Sequence, residues 1–67
     1  MRATLSERLA SLAAVYFGRS VSDLMIAREH RDGGQPLEAE VRLRTGRHAG
    51  VCAAGCLELA VRHSRDP

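Results

Sequence analysis

The sequence predicts a small α+β domain in which one or two N-terminal helices pack on a two- or three-stranded antiparallel sheet. Three observations predict it. Apolar residues recur at helical spacing through the first quarter of the chain, a Gly-Gly-Gln-Pro break follows at 33–36, and beyond it apolar and charged residues alternate. The 67 residues read as a single small domain, with a helical part over 4–30 and a hairpin part over 37–63.

The first element is an amphipathic helix over 4–17. Leu5, Leu9, Leu12 and Tyr16 form one stripe, and Thr4 with Glu7 three residues later matches a capping box. Gly18 stands where a left-handed C-terminal cap would end the helix. Ser20 with Asp23 repeats the capping signature, so a second helix over 21–30 is expected, with Val21, Leu24, Met25 and Arg28 on one face. A strand over 24–30 competes with it. Asp32-Gly33-Gly34-Gln35-Pro36 breaks the chain, because the glycines allow positive φ and Pro36 has no amide to donate.

After the break, Leu37, Ala39, Val41 and Leu43 alternate with Glu38, Glu40, Arg42 and Arg44, the pattern of a half-buried strand. Thr45-Gly46 offers a turn, and Ala49, Val51 and Ala53 return as the second strand of a hairpin. Residues 52–63 read equally as a third strand or a short apolar helix. The expected core is Leu5, Leu9, Leu12, Tyr16, Leu24, Ala39, Val41, Leu43 and Val51. On that reading Val41→Asp unfolds the domain.

Composition narrows the function classes. Ten arginines and no lysine stand against eight acidic residues, for a net charge of +2. The two signs are interspersed, which argues for a solvated mixed surface over a polyanion-binding one. Tyr16 and Phe17 are the only aromatics, which leaves little for stacking on bases. No unbroken apolar run approaches the roughly 20 residues of a membrane span. Glu7 and Arg8 interrupt what would be the apolar part of a secretory signal. The expected compartment is therefore the cytoplasm, with Cys52 and Cys56 as reduced thiols.

Motifs that carry chemistry are sparse. His48, Cys52, Cys56 and His63 could nominally supply four zinc ligands, but on a strand His48 and Cys52 would stand about 13 Å apart. Buried small cysteines and exposed histidines are the simpler reading, and no metal or cofactor is expected. No nucleophile–base pair, phosphate loop or dinucleotide fingerprint is present. Helix, Gly18, helix and hairpin together also suggest a winged helix-turn-helix. Its DNA-binding residues would be Arg19, Arg28, Arg31, Arg42, Arg44 and Arg47. Glu29, Glu38 and Glu40 sit among those arginines, so nucleic acid is the less favoured partner.

Ile26-Ala27-Arg28-Glu29, then Asp32, Gly34 and Pro36, then Glu38-Ala39-Glu40-Val41-Arg42-Leu43 and Gly46 follow one another in an order that resembles the opening of the enolase N-terminal domain. The resemblance covers residues 26–54 and needs small deletions around Gly33–Leu37. It implies an antiparallel meander leading into a mobile loop. Arg8, Leu9, Leu12, Phe17, Asp23 and Leu24 are similar in placement to the helical extension of the sperm-type enolase-like branch, which resembles a dimerisation-and-docking helix pair. Where enolases carry a magnesium-binding serine loop, this chain has Ala53-Ala54-Gly55-Cys56, so no catalytic residue transfers.

The expected function is thus a non-catalytic interaction or dimerisation module resembling a truncated enolase N-terminal region. Its partner would be a second copy or a larger protein, met through Leu12, Tyr16 and Phe17. The alternative is a DNA-binding helix-turn-helix domain.

Overall fold

The computed structural model describes residues 2–65 and contains two helices, α1 (Leu5–Asp32) and α2 (Pro36–Ser64), folded into an antiparallel hairpin. No strand occurs among the described residues, so the α+β expectation is corrected to an all-α hairpin. The helix expected to stop at Gly18 runs on through it, merging with the second predicted helix. The predicted hairpin and the ambiguous 52–63 segment are one helix.

The beginning of α1 is the part that the local signals place correctly. The Glu7 amide donates to Thr4 Oγ1 at 3.1 Å, and the Thr4 amide donates to Glu7 Oε1 at 3.2 Å. This capping box satisfies two donors that a helix start leaves free. The other end closes in a Schellman motif. Gln35 N–H donates to the His30 carbonyl at 2.8 Å and Gly34 N–H to the Arg31 carbonyl at 3.1 Å. Gly34 takes φ +77°, the left-handed conformation this motif needs and a β-carbon disfavours. The Gln35 side chain then meets His30 Nδ1 at 2.8 Å, and Pro36 opens α2 at a position where its missing amide costs nothing.

The period-two reading failed for a physical reason. Over 37–44 the residues are Leu, Glu, Ala, Glu, Val, Arg, Leu and Arg, and all but valine are strong helix formers. Eight residues are too few to separate alternation from a helix with two apolar flanks. The helical choice adds pairs four residues apart, Glu40 with Arg44 at 3.0 Å and Glu58 with Arg62 at 2.8 Å.

Spacing along the helix–helix seam alternates three and four. In α1 it runs through Ser6, Leu9, Ala13, Tyr16, Ser20, Asp23, Ala27 and His30, all buried or half-buried. In α2 it runs through Ala39, Arg42, Gly46, Ala49, Ala53, Cys56 and Ala60, of which all but Arg42 are buried or half-buried. This is the heptad of an antiparallel coiled coil whose knobs are mostly small. Among the described residues the buried apolar side chains are all alanines: Ala13, Ala27, Ala39, Ala49, Ala53 and Ala60.

The expected core is corrected accordingly. Ala39 is buried and Leu9, Tyr16 and Leu43 are half-buried, whereas Leu5, Leu12, Leu24, Val41 and Val51 are exposed.

Candidate interaction surface

Small seam residues let the two backbones approach closely. A β-carbon built on Gly46 would stand 3.2 Å from the Ser20 carbonyl oxygen and 3.2 Å from Leu24 Cδ2. Two hydroxyls exploit the approach. Ser20 Oγ donates to the Gly46 carbonyl at 2.7 Å, and Ser6 Oγ donates to the Ala60 carbonyl at 2.8 Å. Arg42 Nη1 donates to Asp23 Oδ1 at 3.3 Å, with the carboxylate buried and the guanidinium half in solvent. All three contacts specify one antiparallel register. The other oxygen of Asp23, Oδ2, is buried without a hydrogen-bond partner. A buried polar group of this kind contributes more to register than to stability.

With the seam filled by small groups, the large apolar side chains point outward. Phe17, Met25, Leu37, Val41 and Val51 are all more than 60% exposed. The Cα trace measures 53 × 20 × 11 Å, a slab one helix layer thick. Its radius of gyration is 15.3 Å, against about 11 Å for a compact domain of this length. The accessible surface is 5413 Å², against about 4,200 Å² from the scaling of folded monomers.

The slab has two broad faces. One combines Phe17, Val21 and Leu24 of α1 with Leu43 and Leu57 of α2. Near the turn it sinks into a cleft lined by Leu24, Ala27, Arg28, Arg31, Pro36, Ala39, Glu40 and Leu43. The other face carries a shallow groove lined by Leu12, Tyr16, Cys52, Cys56, Leu59 and Arg62. The three residues expected to form one interaction patch are therefore split. Leu12 and Tyr16 share the groove. Phe17, five residues beyond Leu12, is turned by about 140° onto the opposite face.

The six arginines of the DNA-binding reading are not gathered either. Arg19 lies on the groove face of α1, while Arg28 and Arg31 flank the cleft on the other side. Arg42 serves Asp23, Arg44 serves Glu40, and Arg47 sits on the cleft face of α2. Among the described residues there is neither a turn at Gly18 to set off a recognition helix nor a hairpin to act as a wing.

His48 Nε2 and Cys52 Sγ approach to 3.8 Å, one turn apart on α2. No group of three or more potential metal ligands converges among the described residues.

By length and composition α1 meets the minimum for a membrane-crossing helix, with mean hydropathy 1.2 over its best 18-residue window. Running-window reasoning that looked for unbroken apolar stretches missed this, because Arg19 and Asp23 interrupt the run.

The outward apolar faces are the candidate surface that sequence reasoning missed. The signal was present as two interleaved heptads in α1, one whose buried members are small and one that carries Phe17, Val21 and Leu24 outward. Comparison of the chain with family models, curated proteins and solved structures returns no match.

Proposed function

We propose that this chain is a non-catalytic interaction module that works by self-association, with its apolar slab faces as the contact surface. The observation that supports the reading is the inversion of side-chain size. The buried positions of the seam are alanine, glycine, serine and Asp23, whereas Phe17, Val51 and Leu57 are more than half exposed. A pair of facing helices with small residues between them buries little apolar area. Excess surface of about 1,200 Å² per chain over the folded-monomer scaling, about 2,400 Å² for a pair, is of the size that obligate homodimers bury. A protein partner suits these faces better than a lipid one. Arg19 and Asp23 sit near the middle of α1, and each charge at a bilayer centre costs about 2.5–3.5 kcal/mol on insertion scales.

Sedimentation equilibrium over a concentration series tests the reading. The expected result is a mass of two chains or more that falls on dilution, with helicity and thermal midpoint falling alongside. A single-chain mass at every concentration, together with a sharp cooperative melt, would overturn it.

A further inference from the structure

A second heptad runs along the outward side of α1, and its order is self-complementary. Read from the two ends toward position 19, it pairs Glu7 with Arg31, Ala10 with Arg28, Ala14 with Leu24 and Phe17 with Val21. Opposite charges fall at the ends, a small residue meets a large one next, and two large ones meet in the middle. All eight are exposed in the single hairpin, although Glu7 bonds Thr4 and one side of Leu24 leans on Gly46 across the seam. Between Ala10 and Leu24 the stripe carries no charge.

We infer that two copies of this chain pair through α1, antiparallel, about a two-fold axis at the level of residue 19, with their turns at opposite ends. The inference rests on the self-association reading and specifies its face and orientation. An isologous contact requires a patch that complements itself under the two-fold, which is what this stripe supplies. Phe17 of each copy packs against Val21 of the other. Leu24 fills the space over Ala14, and Glu7 faces Arg31 at both ends.

The groove face of α1 fails the same test. Arg19 lies in its middle and would meet its own copy across such an axis. On α2, Arg47 lies on the cleft face at nearly the same level and would also meet its own copy. The contact is therefore centred on α1, with α2 lying to the outside.

The test is sedimentation equilibrium of the full chain, with circular dichroism to check helicity and neutral phosphatidylcholine vesicles as a competing surface. Phe17→Asp and Leu24→Asp should each raise the dimer dissociation constant at least about 100-fold, as for central contacts of an interface, while helicity at high concentration persists. Arg31→Glu should raise it about 10-fold, and adding Glu7→Arg should bring it back toward the unmodified value. A chain that is monomeric throughout, or that partitions onto the vesicles as a monomer, overturns both this inference and the self-association reading. A dimer indifferent to Phe17→Asp and Leu24→Asp leaves self-association standing and overturns the α1 face. A dimer that is lost in the aspartate variants, and whose weakening by Arg31→Glu is not relieved by adding Glu7→Arg, overturns the antiparallel orientation.

Discussion

The seam and the outer faces of this hairpin use opposite side-chain chemistry. Inside, Ala13, Ser20, Ala27, Gly46, Ala49 and Ala53 bring two backbones close enough for serine hydroxyls to reach carbonyls on the other helix. Outside, leucine, valine and phenylalanine face solvent. Ordinarily bulk goes inward, because burying a large apolar side chain contributes about 1.5–3 kcal/mol. The arrangement makes sense when the hairpin is one layer of a thicker body. Its seam sets the geometry of two helices, and on the self-association proposal its faces supply the burial.

The comparison breaks most visibly at Gly46. Gly46→Leu places a side chain where a single β-carbon already stands 3.2 Å from the Ser20 carbonyl oxygen, a backbone atom that cannot swing aside. Overpacking of a tight site costs about 1–3 kcal/mol and occasionally more, and here it also displaces the Ser20 hydroxyl bond. The expected outcome is loss of the hairpin, read as a collapse of the thermal melt. Gly18→Leu and Gly55→Leu, where a β-carbon meets nothing within 4 Å, should leave the melt in place or raise it.

Next in size is the Asp23–Arg42 pair. Arg42→Leu removes the partner of a buried carboxylate that already has one unmatched oxygen. Because the guanidinium is half-exposed, the cost is set at about 1–2 kcal/mol, below that of a fully buried pair. Adding Asp23→Leu should recover most of it. A double-substitution cycle on chemical denaturation measures the difference. If the double variant is as unstable as the single one, the pair is not what makes the seam sensitive there.

The legibility of the sequence followed the same division. Local chemistry could be read directly. Thr4 and Glu7 predicted the capping box, and Gly33-Gly34-Gln35-Pro36 predicted a break, which falls where α1 gives way to α2. The fold class could not be read by looking for stripes of large residues, because here the buried stripe is the small one. Ala39, Gly46, Ala49 and Ala53 were read as weak strand or turn positions, although their spacing alternates three and four. Leu37, Val41 and Val51 drew attention to a surface that is not the core. The capping signature at Ser20 and Asp23 misled for a related reason. Both side chains are turned across the seam, Ser20 to a carbonyl and Asp23 to Arg42, and neither ends or begins a helix. Of the three residues expected to form one patch, Phe17 lies on the outward heptad, while Leu12 and Tyr16 lie on the other face.

A smaller effect belongs to the start of α1. The backbone and side-chain hydrogen bonds from Thr4 hold the Glu7 carboxyl below the ordinary glutamate range. A lowered carboxyl stabilises the folded form above the ordinary range, and that contribution is lost as pH falls through the lowered value. The first turn should therefore fray on acidification, seen as faster amide exchange at Leu5–Arg8 with the rest of α1 unaffected. Thr4→Ala should cost about 1 kcal/mol, typical of a lost N-cap, and should weaken that pH dependence without abolishing it, because the residue-4 amide still donates to the Glu7 carboxylate. Glu7→Gln should abolish it, and persistence of the dependence in Glu7→Gln would place its origin elsewhere.

The smallest expected effect is at Val41, and it separates the two folds most cleanly. In the strand reading Val41 is central to the core, and Val41→Asp unfolds the domain. In the helical hairpin the residue is 63% exposed on the groove side of α2, away from the seam and from the α1 stripe. Aspartate in an exposed helix interior loses some helix propensity relative to other residues, but so does valine, and the difference is a few tenths of a kcal/mol. Near it, Arg42 and Arg44 offer a partial electrostatic compensation. Val41→Asp should therefore shift stability by less than about 0.5 kcal/mol, as surface substitutions away from special features do. It should also leave the mass in sedimentation unchanged. A large loss of stability at Val41 would mean that the groove face is covered, and the contrast between a small inner seam and free outer faces would have to be redrawn with that face inside.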